Sequence, residues 1–302
     1  MIDIFIPSYH RPYNLKTVRY FLKIGWNAKK IHLFIDSEAD DRADYEVVAK
    51  KLGINLYVFD MDEARRRYDY VHRASVSRRS AGQARNMFYD YAKKLDIEFF
   101  MIQDDDTTGY QVKNYGKYLR KATLEDIMIT FENIKIFMYK RRIGCFGISQ
   151  TGDIIGGINK KLIRNKVMNT TFILTKYIYR GERGVQDEDT SQFATIMNEG
   201  LFTGSLADGI ILSQTMSCKA AGGLTELYNE CKLLNKALVT VIQYPSAIFA
   251  ERQEKNGGRL HHHIVSRYLY PKILKGTERD NIAWDTYSED IPFTNEPKRK
   301  NN

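Results

Sequence analysis

An α/β fold, with helices on both faces of a mixed sheet, follows from three observations in the sequence. Strand-like and helix-like segments alternate through the first third of the chain. The short apolar runs end in polar residues, as strands do where a sheet edge carries chemistry. One run, Ile97 to Ile102, is followed at once by Gln103-Asp104-Asp105-Asp106, three adjacent carboxylates at a strand end.

The first strand is read at Ile2 to Ile6, closed by Pro7-Ser8. Asn14 is expected to cap a helix over Leu15 to Ile24, with Leu15, Val18, Phe21 and Leu22 on one face. Ile31 to Ile35 is the second strand, ended by Asp36-Ser37; a helix at Ala43 to Leu52 and a strand at Leu56 to Phe59 follow. This βαβαβ order predicts parallel strands. Ser80 opens a helix running to about Leu95. Thr123 and Asp126 form a capping-box variant at the start of a helix from Leu124 to Lys140. Further strands are expected at Ile143 to Ile148, Phe172 to Leu174, Gly209 to Leu212 and Ala237 to Ile242, with helices at Ser191 to Met197 and Thr225 to Asn235. Beyond Pro245 the pattern weakens, and Gly257-Gly258 suggests a mobile loop.

The chain has 302 residues, 43% hydrophobic and 27% charged, an ordinary globular composition. No apolar run approaches the roughly 18 residues that span a bilayer, and the N-terminus lacks a signal-peptide pattern. A soluble, cytoplasmic protein without a membrane partner is expected. Cys145, Cys218 and Cys231 match no zinc or disulfide spacing and are read as reduced thiols. A net charge of +9 raises the prospect of a polyanionic partner. Part of it lies in Arg65-Arg66-Arg67, His72-Arg73 and Arg78-Arg79, with Tyr68 and Tyr70 interleaved, and part in the tail Lys298-Arg299-Lys300. Neither a Gly-x-x-x-x-Gly-Lys-Ser/Thr loop nor Gly-x-Gly-x-x-Gly occurs, which counts against nucleotide hydrolases and nicotinamide enzymes.

Four constellations carry chemistry. Pro7, Ser8, Tyr9 and Arg11 follow the first strand and Asp36 ends the second, so their polar groups reach one sheet edge. Arg79, Gly82, Arg85 and Asn86 surround a helix start, where arginines and the dipole suit phosphate. The acidic triplet suits a divalent cation holding a diphosphate; a solvated turn is the plain alternative. Asp187-Glu188-Asp189 is a second acid cluster, readable as helix capping or as the source of a general base. His261-His262-His263 could add an imidazole to a metal site or form an exposed loop.

Ile4 to Tyr9, Asp36, Ala81 to Asn86 and Phe99 to Asp106 together resemble the nucleotide-sugar half of glycosyltransferases with the GT-A fold. That resemblance implies a divalent metal, Mn2+ or Mg2+, on Asp104 and Asp106; from the histidine run, His262 is the candidate further ligand, with His261 and His263 left open. It implies a donor such as a UDP-sugar, for which the constellations above supply the candidate binding residues Pro7, Ser8, Tyr9, Arg11, Asp36, Arg79, Gly82, Arg85, Asn86, Asp104 and Asp105. The stretch from Asp187 to Gly200 resembles the Glu-Asp motif of the family-2 enzymes, which implies Asp189 as base, with Glu188 second, and inversion at the anomeric carbon. One GT-A domain over 1–290 is expected, with donor (1–110) and acceptor (111–290) halves and a basic tail at 291–302. A narrower similarity is to the TET/JBP-associated glycosyltransferases of phages and kinetoplastids, including Gly222-Gly223-Leu224-Thr225. It implies double-stranded DNA carrying 5-hydroxymethylpyrimidine as acceptor. A surface glycan is the alternative acceptor; a non-catalytic nucleic-acid-binding module and a nucleotidyltransferase are alternative classes. Oligomeric state is left open.

Overall fold

The computed structural model describes residues 1–67, 80–114, 117–141, 143–150, 166–177, 183–184, 186–206, 209–214, 236–253 and 259–269. The main sheet contains β1 (Asp3–Pro7), β2 (Ile31–Asp36), β3 (Asn55–Phe59), β4 (Phe99–Gln103), β7 (Ile143–Ile148), β8 (Thr170–Leu174) and β9 (Phe202–Leu206), in the order β3-β2-β1-β4-β8-β7-β9. β1 pairs parallel with β2 and β4, β2 with β3, and β7 with β9; β8 runs antiparallel to both neighbours. The mixed α/β sheet expected from the sequence is therefore present. The chain builds outward from β1 to β3 and then returns to place β4 on the other side of β1. That reversal opens a crevice between the carboxyl ends of β1 and β4, the place where such sheets take ligands.

Alternation along the strands supplies two cores. Ile4 and Ile6 face a layer that includes Val18 and Phe21 of α1 (Lys16–Lys23), Tyr45 and Ala49 of α2 (Arg42–Leu52), and Ile127, Phe131 and Ile134 of α5 (Leu124–Tyr139). Phe5, Phe34 and Phe100 face the opposite layer, with Met61 and Ala64 of α3 (Met61–Arg67) and Met87, Phe88 and Ala92 of α4 (Ala81–Lys94). Helices thus cover both faces, because strands buried on both sides expose no polar face to solvent.

Of the strands in two smaller sheets, the sequence showed only the one expected at Gly209 to Leu212. β5 (Thr107–Asn114) leaves directly from the acidic triplet and lies between β6 (Lys117–Lys121) and β10 (Gly209–Gln214); β11 (Ile248–Gln253) and β12 (Arg259–Ile264) form a hairpin. The segment expected as a strand at Ala237 to Ile242 is instead helical, α7, over residues 236–243. Its β-branched residues favour a strand, but its tertiary partners recur at helical spacing: Thr240 reaches Asp187, Gln243 accepts from Ser191 Oγ at 2.8 Å, and Tyr244 meets Thr195 at 2.7 Å. All three partners lie on or at the start of α6 (Glu188–Asn198), which begins three residues earlier than expected. The expected cap Asn14 is also replaced. Leu15 occupies the N-cap position of α1 without a side-chain cap, and the Thr17 N–H donates to the main-chain oxygen of Asp105 at 3.1 Å. The expected helix at Thr225 to Asn235, the loop at Gly257-Gly258 and the tail at 291–302 lie outside the described residues.

The capping box of α5 is formed as expected: Thr123 Oγ1 accepts from the Asp126 N–H at 3.2 Å, and Asp126 accepts from the Thr123 N–H at 2.8 Å. Arg120 and the Thr123 donors hold Asp126 down at about 2, below its ordinary 3.8. A lowered carboxyl stabilises the fold fully above its unfolded pKa and loses that contribution as pH falls through the folded value. Asp126→Asn should therefore cost about 1 kcal/mol at neutral pH. The gap to the wild-type protein, read by urea unfolding, should narrow as the pH is lowered from 4 toward 2.

Candidate active site

The carboxyl ends of β1, β2 and β4 bring Ser8, Asp36 and the acidic triplet to one edge. The three aspartates then separate in role. Asp105 accepts from Ser8 Oγ at 2.7 Å and from Arg11 Nη1 at 2.9 Å, and so ties the end of β4 to the loop after β1. Tyr45 braces that loop from α2, with its hydroxyl 2.8 Å from Ser8 Oγ and accepting the Arg11 N–H at 3.0 Å. Burial pushes Asp105 up to about 6, against the pull of Arg11 and Ser8. Asp106 is also buried. Thr17 joins the backbone here: its hydroxyl donates to the Asp104 carbonyl and accepts the Thr107 N–H at 2.9 Å.

Asp104 points toward α4. Arg85 Nη2 donates to Asp104 Oδ1 at 2.7 Å, and Nη1 of the same guanidinium reaches Glu188 Oε1 at 3.3 Å. The two acid clusters, distant in sequence, thus meet across one arginine that is only 11% exposed. Helix α4 presents Arg85 because Ser80 starts it with a box in which Gln83 Oε1 accepts the Ser80 N–H at 2.8 Å. Burial raises the Glu188 carboxyl above its ordinary value, opposed by Arg85 and reinforced by Asp189. Asp189 is a contrast: burial would raise it, but Lys166, at 2.8 Å, and Lys236 outweigh that and hold it at about 2.

Beneath the crevice, Gln103 fixes the end of β4. Its Oε1 accepts from Tyr110 and Thr170 hydroxyls at 2.7 and 2.6 Å, and its amide nitrogen donates to Thr107 Oγ1 at 2.6 Å. Thr17, Tyr45 and Lys166 carry no motif, and sequence reasoning missed them; Gln103 was visible only as the residue before the acidic triplet.

Of the other expected residues, Pro7 and Tyr9 are half-buried beside Ser8, and Gly82 and Asn86 are buried in the first turns of α4. Asp36 accepts the Glu38 N–H at 2.9 Å, closing its own turn. Arg79 lies outside the described residues, as does the rest of the basic stretch from Tyr68. Arg65 and Arg67 answer acids of their own surface, Glu38 and Asp62 for the first, Glu63 and Asp90 for the second.

Asp104 and Asp106 offer hard carboxylate oxygens of the kind Mg2+ and Mn2+ prefer, so these residues fit a divalent ion. His262 is engaged elsewhere: its Nδ1 lies 2.9 Å from Asp187 Oδ2, and with Asp104 and Asp106 it does not form a group whose ligand atoms all lie within 4.8 Å. Among the described residues, such a group is made by His10, Asp40 and Asp41. Cys145 is a buried thiol, in no disulfide, whose Sγ lies 4.0 Å from Gln192 Oε1. No described helix is long and apolar enough to cross a membrane.

Neither a protein-family model nor a curated protein matches the sequence. Among solved structures, the fold is similar to glucosyl-3-phosphoglycerate synthase from Mycobacterium tuberculosis. The complex with Mg2+ and uridine-diphosphate aligns at 9% identity and a TM-score of 0.46, over 87% of this chain and 86% of that one. The complex with Mn2+, UDP-glucose and phosphoglyceric acid aligns at 10% identity and 0.45, over 93% and 90%. The complex with phosphoglyceric acid alone aligns at 9% identity and 0.47, over 83% of each chain.

Removing Arg85 leaves two carboxylates without their shared cation. Arg85→Met should destabilise the protein by about 3 kcal/mol, the cost of breaking a buried pair. Adding Glu188→Gln in the same chain should recover part of that loss, measured by denaturant unfolding of the single and double variants.

Proposed function

We propose that the protein is a metal-dependent glycosyltransferase of GT-A type, moving a sugar from a nucleotide donor, such as a UDP-sugar, to a hydroxyl group. The convergence of Asp104 and Glu188 on Arg85 at the switch-point crevice carries this reading. One cluster belongs to the donor side of the crevice, and the other comes from α6, on the acceptor half. Asp104 and Asp106 would hold the divalent ion, which when bound supplies positive charge for the departing diphosphate. Ser8, Arg11 and Asp105 fix the loop against which the donor lies, and Arg85 offers cationic charge next to the diphosphate.

The acceptor hydroxyl needs a base as its oxygen attacks the anomeric carbon and the bond to the diphosphate breaks. In this reading the proton goes to Glu188. Asp189 is tied to Lys166 and held at about 2, which makes it a poor proton acceptor. Glu188, raised by burial, has the higher proton affinity. For the acceptor itself we favour 5-hydroxymethylpyrimidine in DNA, supported by the net charge of +9 and by the similarity to the DNA-modifying glycosyltransferases.

Asp106→Ala should abolish transfer while leaving the thermal midpoint nearly unchanged. The test is mass spectrometry of nucleosides from hydroxymethylated and plain DNA, after incubation with sugar nucleotides and Mn2+. An added sugar mass on the modified base supports the reading; near-normal transfer by the Asp106 variant would sink it. With DNA as acceptor, activity should fall steeply between low and moderate salt, through released counterions. Since only the ionised Glu188 accepts a proton, the rate should fall on the acid side, with an apparent pKa above 4.5. Glu188→Gln should remove that limb together with most of kcat, whereas Asp189→Asn should leave the limb in place.

A further inference from the structure

The mechanism leaves unused a buried ionisable pair next to the acid cluster. Asp187 and His262 have side chains only 1% and 6% exposed, and they meet at 2.9 Å. Asp187 also accepts the Thr190 hydroxyl at 3.0 Å and the Thr240 hydroxyl at 3.1 Å. A carboxylate surrounded in this way can only accept, so His262 presents its Nδ1–H to it. The other ring nitrogen, Nε2, lies 3.3 Å from Thr190 Oγ1. Three elements distant in sequence, β12, α6 and α7, therefore converge on one carboxylate.

The position of that carboxylate gives the cluster its consequence. Asp187 is the N-cap residue of α6 and adopts φ +61°, a left-handed conformation uncommon for a residue with a side chain, though aspartate tolerates it better than most. Its main-chain oxygen accepts the Thr190 and Ser191 N–H groups, each at 3.1 Å, so the same residue begins the helix. Glu188 and Asp189 are the next two residues, directed to Arg85 and Lys166. Any rotation of Asp187 redirects both acids.

We propose that the buried His262–Asp187 pair is a positioning latch, by which the β11–β12 hairpin fixes the start of α6 and so aims Glu188 across the crevice at Asp104's partner Arg85. His262 acts through Asp187 and touches neither donor nor acceptor. The proposal rests on the transferase reading for its catalytic consequence, while the latch itself is a property of the protein without ligand.

The test compares His262→Ala with His262→Asn, whose side-chain amide keeps a donor near the Nδ1 position. In the ligand-free protein, hydrogen exchange at the amides of 188–191 should accelerate in the alanine variant and return toward wild type in the asparagine variant. In turnover of a UDP-sugar with Mn2+, the alanine variant should lose about 100-fold in kcat, the scale of a misplaced catalytic group. Its donor KM should stay within about twofold of wild type. The asparagine variant should recover most of that kcat. Mn2+ affinity in the presence of UDP, followed by electron paramagnetic resonance, should be the same in all three proteins.

Unchanged exchange at 188–191 in the alanine variant overturns the latch. So does a fall in Mn2+ affinity that asparagine fails to restore, since it would make His262 a metal ligand. A wild-type protein that neither binds UDP with Mn2+ nor turns over any donor refutes the transferase reading, and the exchange result then still decides the latch.

Discussion

The arrangement of the site depends on one guanidinium. Arg85 holds Asp104 and Glu188 together at 2.7 and 3.3 Å in a place where solvent does little to screen them. Two carboxylates brought close in a partly buried site repel each other and lose hydration, so they stay together only with a cation between them. This requirement fixes the geometry of α4, which carries the cation, relative to β4 and α6, which carry the acids. A capping box starts α4, an apolar strand ends at the triplet, and a left-handed aspartate starts α6; each device serves the same meeting point.

The sheet explains why the meeting point is a crevice. Because β1 pairs parallel with both β2 and β4, the loops after β1 and β4 leave the same edge in different directions. Asp105 closes the bottom of the gap through Ser8 and Arg11, which leaves Asp104 directed toward α4. The middle aspartate of the triplet thus binds the scaffold together, while the first turns to Arg85.

Much of this was legible in the sequence, and the reasons are physical. Buried strands such as Phe99–Gln103 and helices with regular apolar spacing such as α5 are set by local pattern, and the capping box of Thr123 and Asp126 formed where expected. The acid clusters were visible because charge next to an apolar run is unusual. What the sequence hid depends on partners distant along the chain. β6 is exposed along its whole length and shows no apolar alternation, and α7 has the composition of a strand but is held as a helix by α6. His262 looked like a metal ligand from its neighbours in sequence, whereas the pairing of β12 with β11 turns it inward to Asp187. The different surroundings of Glu188 and Asp189 were equally hidden, because they are set by Arg85 and Lys166 approaching from other elements.

The proposed binding of a nucleotide diphosphate on the acidic triplet, in the crevice between β1 and β4, calls for a crystal structure of the protein grown with UDP and Mn2+. The metal should sit on Asp104 and Asp106, with the diphosphate between that metal and Arg85. A nucleotide bound away from the β1–β4 crevice, or a metal held by His10, Asp40 and Asp41 with the triplet empty, would contradict it.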